Sequence, residues 1–293
     1  MTNEGFIEVP GGKVWYQHYN KDSARTPLII LHGGPGSSSY SLQSLKALSE
    51  HRPVILYDQL GCGRSDRPTD SSLWKIERFV QELADIRKAL NIEEVHILGH
   101  SWGTTLAAAY CLTKPKGVKS VVFSSSCLSA PLWEKDQERN LKKLPYDIQE
   151  VIKTSEANGT TDSTEYKEAT KVFNQHFVCR LDPFPEFLKA GAHLKNPEVY
   201  NIMWGPSEFT VTGNLRSFDC TTQLHEITCP TLYTCGRYDE ATPETTAYYK
   251  SLTPNARMHV FEKSAHMPYL EEKAEYLQVI GDFLHTVDHA QNG

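Results

Sequence analysis

Ser101 stands between two glycines in Gly99-His100-Ser101-Trp102-Gly103, after the apolar run Val95 to Leu98 and before the small-residue stretch Thr104 to Tyr110. That order reads as a buried strand, a tight turn and a helix, and such a turn lifts one serine hydroxyl out of a sheet. The flanking glycines are needed because a side chain at either place would collide with the neighbouring strand and helix. Gly-x-Ser-x-Gly alone is weak evidence. The strand before it, the helix after it and the groups downstream make Ser101 the candidate nucleophile.

A serine hydroxyl is a poor nucleophile at neutral pH and needs a base, and the base needs an acid to fix its tautomer and steady the imidazolium. Two later loops offer both. One follows the apolar run Thr231 to Thr234 and carries Asp239; the other follows Met258 to Phe261 and carries His266. Of the remaining histidines, His96 and His259 lie inside strands and are expected to pack, while His32 and His100 belong to turns whose backbone has its own role. Acyl transfer also needs donors aimed at the developing oxyanion, commonly the amide after the nucleophile and one from the first strand-to-loop crossing. The backbone N–H groups of Trp102 and of Gly34, in His32-Gly33-Gly34-Pro35-Gly36, fill these roles. That loop lacks the Lys-Ser/Thr ending of a phosphate cradle.

The elements that must position these groups are legible as short apolar runs separated by helical stretches: Leu28 to Leu31, Val54 to Tyr57, Val95 to Leu98, Val118 to Phe123, Thr231 to Thr234 and Met258 to Phe261. Near-continuous hydrophobicity is what parallel strands buried on both faces require. From Ile76 to Leu90 apolar residues recur every three or four positions, and Leu277, Ile280, Leu284 and Val287 form a second stripe, so both segments are expected to be helices covering the sheet. Between about Leu128 and Leu224 the alternation stops. Helical stretches are expected there around Asp147 to Ser155, Glu165 to Phe177 and Pro185 to Leu194. The fold class is α/β, a mostly parallel sheet flanked by helices, with 1–127 and 225–293 as its core and 128–224 as an inserted helical cap above the strand ends.

The matching segments His32 to Gly36, Tyr57-Asp58-Gln59-Leu60-Gly61-Cys62-Gly63-Arg64-Ser65, Gly99 to Gly103, Gly205-Pro206-Ser207-Glu208-Phe209-Thr210 and Gly236-Arg237-Tyr238-Asp239-Glu240 together resemble the proline iminopeptidases of the α/β-hydrolase superfamily. The resemblance covers essentially the whole chain. It implies an α/β-hydrolase fold and a serine exopeptidase that releases an N-terminal residue, preferentially proline. It also implies that a pair of glutamates, here Glu208 and Glu240, holds the free α-amine of the substrate. A cationic amine in a desolvated pocket needs carboxylates, and a pocket so built rejects an N-blocked analogue. Thr104 departs from the glycine or serine expected after the turn, and is not expected to touch the chemistry.

With 293 residues, 39% hydrophobic and 23% charged, the chain is long enough to bury a sizeable core. A net charge of −6 without a Lys/Arg-dense run argues against nucleic acid and anionic membrane as partners. A small peptide or amino-acid amide is the expected substrate, with no metal and no organic cofactor, and a monomer is the default. Met1 to Pro10 lacks a basic start followed by an apolar core, and no apolar stretch approaches the ~20 residues that span a bilayer, so the expected location is cytoplasmic. The seven cysteines have no Cys-x-x-Cys spacing and read as reduced thiols, most of them small core residues. Asn158-Gly159-Thr160 reads as a turn between two polar helices. Two other functions are carried: an amidase or esterase on the same triad, and a non-catalytic ligand receptor that retains the fold.

Overall fold

In the computed structural model, which describes residues 2–290, the chain folds around one eight-stranded sheet. The strands are β1 (Thr2–Val9), β2 (Gly12–Tyr19), β3 (Leu28–Leu31), β4 (Val54–Tyr57), β5 (Val95–Ser101), β6 (Val118–Ser126), β7 (Thr231–Gly236) and β8 (Ala256–Phe261), in the order β1-β2-β4-β3-β5-β6-β7-β8. From β3 onward the neighbours pair in parallel; β1 and β2 form an antiparallel hairpin along the edge of β4.

Two-sided burial explains why the central strands read as unbroken apolar runs. Ile29, Leu31, Ile55, Tyr57, Ile97, Val121 and Phe123 face one core cluster, where they meet Phe79, Leu83 and Ile86 of α1 (Ile76–Ala89) and Leu106 and Ala107 of α2 (Trp102–Leu112). The alternate residues Leu28, Ile30, Val54, Leu56, Leu98, Val122 and Leu232 face a second cluster. There they meet Leu42, Leu45 and Leu48 of a 3₁₀ helix at Ser39–Glu50 and Tyr276, Ile280, Leu284 and Val287 near the chain's end. Both expected helical stripes therefore cover the sheet, one on each face.

Between β6 and β7 the chain is helical: α3 (Ala130–Leu141), α4 (Tyr146–Asn158), α5 (Thr164–Phe177), α6 (Glu186–Ala190) and α7 (Pro197–Met203). Leu141, Ile152, Tyr166, Ala169, Phe173 and Phe177 make a small core of their own. Gly159 caps α4 in the left-handed conformation, so Asn158-Gly159-Thr160 is a helix end and turn. The expected helix from Pro185 to Leu194 is in fact α6 followed by a 3₁₀ turn at Gly191–Leu194. A Cβ at Gly191 would lie 2.5 Å from the Tyr40 ring, and this close approach to the ring marks where the α-helix gives way. After β7 come α8 (Pro243–Leu252), α9 (Pro268–Glu271) and α10 (Lys273–Ala290).

The turn at the end of β5 is as tight as its glycines require. A Cβ at Gly99 would lie 2.2 Å from the Gly103 carbonyl oxygen, and one at Gly103 would lie 2.2 Å from the Leu31 carbonyl oxygen. Neither neighbour is a flexible side-chain end, so the backbone itself would have to move. Gly103→Ala is expected to destabilise the protein by about 1–3 kcal/mol, seen as a lower urea midpoint with an unchanged slope. An unchanged midpoint would show that strand β3 yields at no cost.

Candidate active site

Ser101 ends β5 at φ 55°, ψ −125°, a left-handed conformation that costs a non-glycine residue energy and turns the side chain away from the sheet. The strain is held by a staple at Thr104, a residue whose place outside the glycine-serine motif gives it no expected role. The Thr104 hydroxyl donates to the Ser101 carbonyl at 2.7 Å and accepts from the Cys127 N–H at 2.9 Å, tying the turn to the end of β6.

Asp239 and His266 lie in the loops after β7 and β8, at the same sheet edge. The loops are stitched to each other by Arg237 N–H to the Phe261 carbonyl at 2.8 Å and Tyr238 N–H to the Ser264 carbonyl at 3.0 Å. His266 Nδ1 donates to Asp239 Oδ1 at 2.7 Å, and the same oxygen accepts the Ala241 N–H at 2.9 Å. Both residues are buried. With Nδ1 engaged, the free position of the imidazole is Nε2, 3.6 Å from Glu240 Oε1. Burial alone would pull the imidazole down, but Asp239, Glu240 and Glu208 together outweigh it and raise its pKa to about 9.

Glu240 is held in place largely from the helical segment. Its N–H donates to the Phe177 carbonyl at 3.0 Å, and its carbonyl accepts from the Gln137 and Asn140 side chains of α3 at 3.4 Å each. The residue is 3% exposed, and Oε2 has no hydrogen-bond partner among the described residues. Burial pushes this carboxyl well above the ordinary carboxylate range; Glu208 and Asp239 add to the shift and His266 opposes it. Glu208, on the loop after α7, accepts the Tyr200 hydroxyl at 2.5 Å, and its carbonyl accepts the Trp133 indole N–H at 3.2 Å. Burial raises this carboxyl also, against the Tyr200 hydrogen bond and the charges of His266 and Lys195.

Ser101, His266, Glu208, Glu240 and Gly34 line one cavity of about 570 Å³, which Tyr40, Phe184, Leu188 and Lys195 also line. Asp239 stands behind His266. Trp102 lines a side pocket of about 10 Å³ with Gly34, Ser101, Thr105, Cys127, Trp133, Trp204 and Glu208. Gly34 holds φ 118°, and a Cβ there would lie 2.7 Å from the Gly36 and Ser37 nitrogens, so only glycine fits.

The competing histidines have other partners. His96 is fully buried between Ser120 Oγ at 2.7 Å and Asp288 Oδ1 at 3.0 Å, and His259 contacts Glu275 at 3.0 Å. His100 packs its ring 4.8 Å from that of His266, and burial first, then the charge of His266, hold it well below the usual histidine pKa. The contribution of His32 extends beyond its backbone, because its Nδ1 donates to the Gly33 carbonyl at 2.8 Å. Tyr200, Trp133 and Trp204 are not legible in the sequence as site residues, because nothing in their spacing separates them from core aromatics. No disulfide links the cysteines; Cys62, Cys127, Cys179, Cys220 and Cys235 are buried.

A family model for the alpha/beta hydrolase fold matches residues 26–273. A proline iminopeptidase of Heyndrickxia coagulans is 69% identical over 288 residues, which is 98% of this chain and 100% of that protein. One from Saccharolobus solfataricus is 37% identical over 289 residues, 98% of this chain and 93% of that protein. The crystal structure of a Mycobacterium smegmatis proline iminopeptidase superposes with a TM-score of 0.92 at 33% identity, covering 99% of this chain and 100% of that one.

Proposed function

Since the chain belongs to the proline iminopeptidase family of the alpha/beta hydrolases and is a prolyl aminopeptidase, we propose that Ser101, His266 and Asp239 form its catalytic triad and that Glu208 and Glu240 anchor the substrate's free amine. One observation carries this reading: two carboxylates, Glu240 buried with an oxygen that has no hydrogen-bond partner among the described residues and Glu208 half-buried, share the cavity of the serine and the histidine. Buried charges demand a partner. An N-terminal ammonium supplies it, and an N-blocked peptide does not.

The ammonium sits between Glu208 and Glu240, which places the first peptide carbonyl over Ser101. His266 Nε2 takes the hydroxyl proton as Ser101 attacks, and Asp239 steadies the imidazolium through Nδ1. The oxyanion is received by the N–H groups of Gly34 and Trp102. Collapse expels the shortened peptide, with His266 returning the proton to its amine, and water then hydrolyses the acyl-enzyme through the same groups. The 128–224 segment acts as a cap domain over the core of 1–127 and 225–293, lining the cavity and holding Glu208 and Glu240. Seven unpaired thiols favour a reducing, cytoplasmic setting; among the described residues no helix is long and apolar enough to cross a membrane. An esterase for simple acyl groups is disfavoured, because its substrate brings no ammonium to Glu208 and Glu240.

The electrostatics make a signed prediction. With His266 raised to about 9 by three carboxylates, the free enzyme holds its base protonated at neutral pH. A bound ammonium offsets those carboxylates. The acidic limb of kcat, which reports the substrate complex, is therefore expected at lower pH than that of kcat/KM, which reports the free enzyme. Glu240→Gln removes one raising charge, so its kcat/KM limb should move to lower pH. Coincident limbs, or a limb that stays put in the variant, would contradict the proposed charge arrangement.

A further inference from the structure

Both proposed oxyanion donors converge on one side chain outside the triad. The Trp102 indole N–H donates to Gln59 Oε1 at 2.9 Å, and Gln59 Nε2 donates to the His32 carbonyl at 3.1 Å. The Gln59 backbone N–H donates to His32 Nε2 at 3.0 Å, and His32 Nδ1 holds the Gly33 carbonyl at 2.8 Å. Gln59, His32 and Trp102 are all buried, at 1%, 0% and 3% exposure.

The geometry has a specific consequence for the hole. The Gly33 carbonyl and the Gly34 N–H belong to one planar peptide unit and point in opposite directions. By gripping the carbonyl, His32 fixes where the Gly34 N–H points, and a flipped peptide would remove that donor. His32 can grip only as the tautomer with hydrogen on Nδ1, and the Gln59 N–H enforces that tautomer by occupying Nε2. The Gln59 amide meanwhile pins the indole of the residue whose own N–H is the other donor. Its orientation is unambiguous, since the indole N–H demands an oxygen and the His32 carbonyl demands an N–H. Gln59 is itself held rigid: its neighbour Asp58 accepts the N–H and the hydroxyl of Ser39 at 2.8 Å each and the Arg64 N–H at 2.9 Å.

We propose that Gln59 is a positioning residue for the oxyanion hole, clamping the Gly34 loop and the start of the Trp102 helix into a single preorganised pair of donors. The inference rests on the reading of Ser101 as nucleophile and of Gly34 and Trp102 as donors. Gln59 does not touch the substrate. It acts only on where the two N–H groups point, so its loss is felt when negative charge develops on the carbonyl oxygen and not when the amine is bound.

The test compares Gln59→Met, Trp102→Phe and the double variant on a free-amine proline anilide. It adds inhibition by pyrrolidine-2-boronic acid, whose tetrahedral adduct uses the hole, and by L-proline, which uses the amine site. Each single variant is expected to lose about 10- to 100-fold in kcat. KM and proline inhibition should stay within about twofold, and boronate affinity should fall in step with kcat. Because both substitutions open the same clamp, the double variant should be no worse than the weaker single. A residue that merely supported the fold would weaken proline and boronate alike. Gln59→Met with kcat within about twofold of the parent, equal losses for both inhibitors, or multiplicative losses in the double variant would each overturn the proposal. Should Gln59→Met not fold, Trp102→Phe keeps the ring packing and carries the same comparison. Ser101→Ala separates the two failures: if it stays active the reading beneath fails, and if it is dead while Gln59→Met is normal only the clamp fails.

Discussion

Ser101→Ala is expected to lower kcat on a free-amine proline anilide by about 10⁶-fold while leaving KM nearly unchanged. The magnitude follows from how the site is divided. Removing one hydroxyl eliminates the covalent route, yet the His266–Asp239 pair at 2.7 Å and the two glutamates of the cavity remain. The amine is still bound, and the donors still face the carbonyl. What persists is the modest catalysis that hydrogen bonds and binding give to attack by water, about 10³–10⁴ over solution. Alanine keeps the Cβ that already occupies φ 55°, so thermal stability should hardly change. A serine-directed fluorophosphonate should label the parent at Ser101 and leave the variant unlabelled, which also disposes of a non-catalytic receptor. A variant retaining activity within tenfold of the parent would require another nucleophile, and the triad assignment would fall.

Replacing both carboxylates proposed to bind the amine is the second large effect. Glu208→Gln with Glu240→Gln is expected to lower kcat/KM for the free-amine anilide by about 10³- to 10⁵-fold, since truncating one partner of a desolvated charge pair costs about 2–5 kcal/mol and two carboxylates are removed together. The loss should appear mainly in KM, because the ammonium is bound in the ground state and in the transition state alike. Thermal stability should change little. Burial raises both carboxyls, and the charge of Glu208 raises Glu240 further, a cost that neutral amides of the same shape lift, while the attraction of both carboxylates for the His266 imidazolium is lost. A double variant that keeps its kcat/KM within tenfold would mean that the amine is read elsewhere. Thermal melts and Michaelis curves on the same preparations separate the two effects.

How far the sequence foretells this molecule depends on whether burial is two-sided. The central strands β3 to β7 are covered on both faces, so each reads as an apolar run, and the two helical stripes are visible because one face of each is dry. The β1–β2 hairpin has no such signature. It lies at the sheet edge, where Phe6 is 57% exposed and the residues around it alternate, which leaves no continuous signal. Leu42, Leu45 and Leu48 recur at intervals of three, the spacing of a 3₁₀ helix, and make no α-helical match.

At the site, glycines and loop positions point to Ser101, Gly34, Asp239 and His266, because each sits at or just past a strand end and the chain there has few conformations to choose from. Glu208 and Glu240 come from resemblance; spacing alone could not bring residues of two distant loops into one cavity. Gln59 stands inside a matching segment that gives it no role. A buried amide that links two turns has no periodicity to betray it, and only the four hydrogen bonds converging on Gln59 and His32 reveal what it joins.

The most direct test of the central claim, that a serine hydrolase site is gated by two carboxylates reading a free amine, is kcat/KM for proline anilide against N-acetyl-proline anilide with the unmodified protein. The two substrates share ring and leaving group and differ in the blocked, uncharged nitrogen. A site that holds the ammonium between Glu208 and Glu240 should reject the blocked form by about 10⁴-fold or more. Rejection of that size is the predicted result. Comparable turnover of both anilides would contradict the account, leaving the fold and the serine in place and Glu208 and Glu240 without the role given to them.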